Sequence, residues 1–119
     1  MSLATVTAHI PAGQSASAPV TFSGKVVKIA VPANWTDAPM AFKTSEDGGA
    51  TYRPMYRSDG NLIQMPVQLP VVDAVTQAAT TLLRPEFLGE LDNLVVLSGP
   101  PDDLVPQTYA VDIVLTIEP

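Results

Sequence analysis

Proline and glycine punctuate this chain at short intervals, and that confines it to short elements. Twelve prolines and seven glycines are spread through 119 residues rather than clustered. Between them lie apolar runs rich in valine, isoleucine and threonine, with corners about every eight to twelve residues, the pattern of an all-β domain. An apolar fraction of 46% excludes a disordered chain, and the length suits one domain, residues 1–119, with a two-layer core.

The segment Met40-Ala41-Phe42-Lys43-Thr44-Ser45-Glu46-Asp47-Gly48-Gly49-Ala50-Thr51-Tyr52-Arg53-Pro54-Met55-Tyr56 reads as strand, turn, strand. Met40, Phe42 and Thr44 share one face at period two, and Tyr52, Pro54 and Tyr56 do so after the turn. Asp47-Gly48-Gly49 reaches positive φ at low cost, so the expectation is a hairpin loop of roughly two to five residues. Ser45-x-Asp47-x-Gly49-x-Thr51-Tyr52 resembles the Asp-box, Ser-x-Asp-x-Gly-x-Thr-Trp, of sialidases and other carbohydrate-active β proteins, with Tyr52 in the place of the tryptophan. Turn chemistry accounts for each position, so Ser45, Asp47, Gly49 and Thr51 are expected to be a folding device.

In chain order, strands are expected at residues 5–10, 19–22, 25–31, 40–45, 52–57, 61–67, 80–84, 92–98 and 109–117. Ser23-Gly24 reads as a break between two of them. In the last, Val111, Ile113, Leu115 and Ile117 share a face. Residues 68–79 allow two readings, one or two helical turns capped by Asp73 or an irregular loop. Pro85-Glu86-Phe87-Leu88-Gly89 reads as a single helical turn. Eight or nine strands joined by short loops give an antiparallel β-sandwich of jelly-roll type, with its first and last strands close together. Trp35, between Pro32 and Pro39, either closes one end of the core or anchors a sugar ring or protein.

Several chemistries find no residues. There is no cysteine, which removes disulfides, thiolate metal sites and cysteine nucleophiles. The lone histidine, His9, lies within a strand pattern with no partners for a catalytic triad. Asp102-Asp103 is two carboxylates where calcium needs six to eight oxygens, and Glu86, Glu90 and Asp92 show no pairing that marks hydrolysis. The expectation is no enzyme, no metal and no cofactor. Net charge is −6, but residues 1–57 hold five basic against three acidic side chains and residues 58–119 one against nine. Six basic residues are few for neutralising phosphates, so nucleic acid is disfavoured as a partner. No run approaches the roughly 18 apolar residues of a membrane span, and Met1-Ser2-Leu3-Ala4-Thr5 lacks the marks of a signal peptide.

The order Val31-Pro32-Ala33-Asn34-Trp35, then the 40–52 hairpin, then Phe87-Leu88-Gly89 and a strand closing on Leu97-Ser98-Gly99 resembles small virion proteins encoded in the structural clusters of tailed bacteriophages, prophages and gene transfer agents. The likeness spans about residues 5–117, and this chain departs from it in a longer 64–79 segment. The resemblance implies a non-enzymatic structural protein made in the host cytoplasm and carried in the virion. It would be a capsid decoration or a head or tail appendage, touching other virion proteins and copies of itself. Contacts would fall to Trp35 and the 64–79 segment, with Tyr52 and Tyr56 as further anchors. The same hairpin, followed by the strand closing on Leu97-Ser98-Gly99, is also similar to discoidin-like, galactose-binding jelly rolls, which implies the alternative of a carbohydrate-binding module for host surface glycan.

Overall fold

A computed structural model describes residues 3–84 and 87–119. Among them are ten strands: β1 (Ala4–Ile10), β2 (Val20–Val31), β3 (Met40–Thr44), β4 (Arg53–Pro54), β5 (Gln64–Met65), β6 (Val71–Val72), β7 (Val75–Thr76), β8 (Ala79–Leu82), β9 (Glu90–Ser98) and β10 (Val111–Glu118). The described residues contain no helix. Every pairing is antiparallel, and eight strands belong to one hydrogen-bonded network in the order β1-β10-β2-β9-β3-β4, with β5 on β3 and β8 on β2. The first and last strands pair along seven consecutive positions, from Ala4 on Ile117 to Ile10 on Val111.

The long strand β2 makes the fold sandwich-like by belonging to two ladders. Its first half pairs with β9, and its second half runs between β10 and β8. A register shift against β9 lies between Thr21 and Gly24, just ahead of Lys25, where pairing with β10 begins, so the expected break at Ser23-Gly24 is instead a bulge inside one twelve-residue strand. A bulge bends a strand without ending it, which lets one segment turn the corner between layers. Gly24 is required there: its φ is 136°, and a Cβ would stand 2.3 Å from the carbonyl oxygen of Glu118.

The two ladders close on one core. Ile10, Val26, Ile29, Ile113, Leu115 and Ile117 from one side meet Met40, Phe42, Leu94 and Val96 from the other, all buried. Full burial of side chains this size contributes about 1.5–3 kcal/mol each. Phe42 also meets Phe87 edge to face, centroids 6.5 Å apart. On the outer face of β3 and β9, Ala41, Val95 and Leu97 form a second, smaller cluster under Ala16, Tyr52 and Leu62.

Three further expectations need correction. The loop between β3 and β4 holds eight residues, 45–52, rather than two to five, because side-chain bonds order it from within. The strand expected over 61–67 shrinks to Gln64–Met65 plus an isolated bridge from Leu62 to Tyr56, since Pro66 cannot continue the ladder. Residues 68–79 are neither helical nor irregular: they carry the hairpin β6–β7 and the start of β8. The helical turn expected at 85–89 lies partly outside the described residues; within them, Phe87 N–H bonds the carbonyl of Arg84 at 2.9 Å.

Candidate interaction surface

The 45–51 loop is held by its own short side chains. The Ser45 hydroxyl donates to Asp47 Oδ1 (2.7 Å) and accepts from Gly49 N–H (2.9 Å), while Thr51 N–H donates to Asp47 Oδ1 (2.9 Å). These bonds favour the charged carboxylate, first through Ser45 and then through Thr51, and lower the Asp47 pKa from its ordinary 3.8 to about 2. Gly48 and Gly49 take φ of 74° and 98°. Tyr52 is half-buried on the outer apolar cluster, its hydroxyl 3.4 Å from where a Cβ on Gly49 would be.

The loop is tied to the sheet by Asn93, a residue that no local pattern singles out. Its Oδ1 accepts from Ser45 N–H (2.7 Å) and the Thr44 hydroxyl (3.0 Å), and its Nδ2 donates to Ser45 O (2.9 Å) and Asp92 Oδ1 (2.6 Å). Asn93 and Ser45 are both buried. An open cavity of about 550 Å³ lies beside this tether, with Glu46, Glu90 and Asp92 on its walls. Among the described residues no group of three or more His, Asp or Glu side chains is arranged to hold a metal ion.

Trp35 is built into one end of the sandwich. Its indole is 7% exposed, and Nε1 donates to the carbonyl of Ala38 at 3.1 Å. The neighbouring loop is fixed by Gln107, a fully buried amide. Gln107 Oε1 accepts from Thr36 N–H (2.7 Å), and Nε2 donates to Thr36 O (3.2 Å) and the Ser98 hydroxyl (2.8 Å). Its backbone bonds Gly13 and Gln14, so one residue joins three loops. Buried polar groups are satisfied in this way or they destabilise.

Across from Trp35 stands the β6–β7 hairpin. Val71 pairs with Thr76 and Val72 with Val75, around a two-residue turn in which Asp73 and Ala74 have φ of 51° and 63°. Two positive φ values make the primed turn whose twist suits a two-residue hairpin. β-branched residues fill all the other positions, and the bond from Gln77 N–H to Pro70 O (2.8 Å) extends the ladder. Val71 and Thr76 line a groove of about 490 Å³ with Trp35, Val67 and Leu69. Val72 and Val75 are on the opposite face by alternation. Val71, Val72 and Val75 are 56–64% exposed, and Leu82 of β8 is 73% exposed.

Tyr56 is also exposed and lines a different cavity with Met55, Ser58 and Phe87. Trp35 and Tyr56 thus face separate hollows. His9 pairs across strands with Asp112, Nδ1 to Oδ1 2.6 Å, at an exposed position. Asp102 and Asp103 are exposed in the turn after β9. Comparison with protein-family models, with curated proteins and with solved structures found no match for this chain.

Proposed function

We propose that this protein is a non-enzymatic structural component of a tailed-bacteriophage or gene-transfer-agent particle, present in multiple copies and acting by protein–protein contact. Its sandwich would be of jelly-roll type, its place a capsid decoration or a head or tail appendage. The observation that carries this reading is the β6–β7 hairpin. A lone two-stranded hairpin is marginal in water. This one nevertheless holds three valines exposed, and Leu82 adds another exposed apolar side chain on the following strand. Val72 and Val75 share one face of the hairpin, and covering the two would contribute about 2–3 kcal/mol toward docking on a second protein, before the cost of association. Paired exposed apolar side chains on one face, as Val72 and Val75 are, mark contact sites when they extend into a patch.

Glycan binding has less support. A stacking platform needs open aromatic faces set together; Trp35 presents 7% of its surface, and the exposed Tyr56 lines a separate cavity. The test is to purify particles from the producing cells, detect this chain in them by mass spectrometry, and strip and rebind it. Rebinding by the unaltered protein and not by the Val72→Asp/Val75→Asp variant is the expected result. Particles without the chain, or a variant that rebinds as well as the parent, would overturn the proposal.

A further inference from the structure

The sheet ends on one side in β1, and this edge is unlike the others. β4 contains Pro54, β5 is followed by Pro66, β6 is preceded by Pro70, and each of these strands is two residues long. β8 has four residues, and the exposed edge of β9 is covered by the 15–17 segment, through Ser17 N–H to Val96 O and Ser98 N–H to Ser15 O. β1 has none of these protections. It is seven residues long, pairs with β10 without a register shift, and contains no proline, glycine or lysine. Among the described residues its backbone bonds only β10. Its one titratable side chain, His9, is already engaged by Asp112 of the neighbouring strand. Folded proteins blunt edges like this with charge, proline or bulges, because a bare edge is a template for another strand.

We infer that β1 pairs with β1 of a second copy, antiparallel about a two-fold axis at Thr7. The strand is its own complement in that register. Thr7 falls on Thr7 of the other copy, Val6 on Ala8, Thr5 on His9 and Ala4 on Ile10. Each pair joins positions of equal parity, so the core side meets the core side (Ala8 and Ile10 buried, Val6 half-buried) and exposed Thr5, Thr7 and His9 meet on the outer side. No like charges oppose one another, and threonine pairs are favourable across strands. The two sheets then become one continuous sheet through the dimer. This deepens the assembly reading but rests on the sheet edge instead of the hairpin: a chain that remains single would leave hairpin docking intact and remove only this pairing.

The mass of the free protein and a cross-link decide it. Sedimentation equilibrium is expected to give twice 12.6 kDa for the unaltered chain and 12.6 kDa for Thr7→Lys, which sets lysine on lysine at the axis. Mixing Thr7→Lys with Thr7→Glu restores the dimer. Because the chain has no cysteine, Thr7→Cys reports the register directly. Facing residues are about 4.5–5.5 Å apart between Cα atoms, within disulfide reach, so oxidation yields a linked dimer. Thr5→Cys, whose partner copy lies about 13 Å along the strand, does not link. A monomeric parent chain, a dimer that survives Thr7→Lys in folded protein, or equal linking of the two cysteine variants would overturn the inference. Should Thr7→Lys fail to fold, the cysteine pair still decides the register.

Discussion

Replacing Asn93 by alanine removes four hydrogen bonds, but only two of them determine the cost. The Asp92 carboxylate is exposed and returns to water, and the Thr44 hydroxyl keeps the backbone carbonyl of residue 93 at 3.2 Å. The Ser45 N–H and C=O are different: the residue is buried, and both groups are held by the Asn93 amide at 2.7 and 2.9 Å. A buried group left unpaired costs about 1–3 kcal/mol. Because Ser45 borders an open cavity from which water can partly replace the amide, Asn93→Ala is expected to lose about 2–4 kcal/mol, the lower part of the sum for two groups. Urea unfolding followed by the fluorescence of the single, buried Trp35 measures it. The midpoint should fall by about 1–2 M with the slope unchanged. Ser45→Ala is the comparison, since it keeps the backbone bonds to Asn93 and loses only bonds inside the loop, about 1 kcal/mol. An Asn93→Ala loss below about 0.5 kcal/mol, or one smaller than that of Ser45→Ala, would refute the tether.

Three other outcomes follow from the same structure. Asp47 has a folded pKa below its unfolded value, so its contribution to stability is present above pH 3.8 and is lost as pH falls through about 2. Carboxyl carbon NMR should place its midpoint near 2, and a midpoint at 3.8 would contradict the loop bonding. Gly24→Ala should destabilise by at least about 2 kcal/mol in urea unfolding, because the bulge allows no methyl beside Glu118 O. Gly13→Ala, where φ is 80° and nothing stands within 4 Å, should cost only about 1–2 kcal/mol for its backbone conformation. Ala74→Gly relieves a left-handed alanine and should stabilise the β6–β7 turn by about 1 kcal/mol, read as slower hydrogen exchange at Gln77 N–H.

What the sequence carried and what it hid divide by distance along the chain. The face formed by Val111, Ile113, Leu115 and Ile117 is legible because strand periodicity is local, and all four residues are buried. The bonds among Ser45, Asp47, Gly49 and Thr51 join residues two to four apart, a span that spacing can encode. Asn93 reaches Ser45 across 48 residues and Gln107 reaches Thr36 across 71, and neither has a neighbour that announces it. The 68–79 segment misled for a different reason. Asp73 is a good helix cap and alanine is a poor marker of positive φ, so the hairpin signal lay in the flanking β-branched residues. At Gly24, a glycine and a serine look alike whether a strand stops or bends. The register on β9 and β10 separates the two.

Hydrogen exchange on the hairpin, in free protein and in assembled particles, tests most directly whether this fold works by contact. The account predicts rapid exchange at Val71–Val72 and Val75–Thr76 in the free chain and strong protection on the particle, with β9 protected in both. Equal exchange of the hairpin in the two states would contradict it.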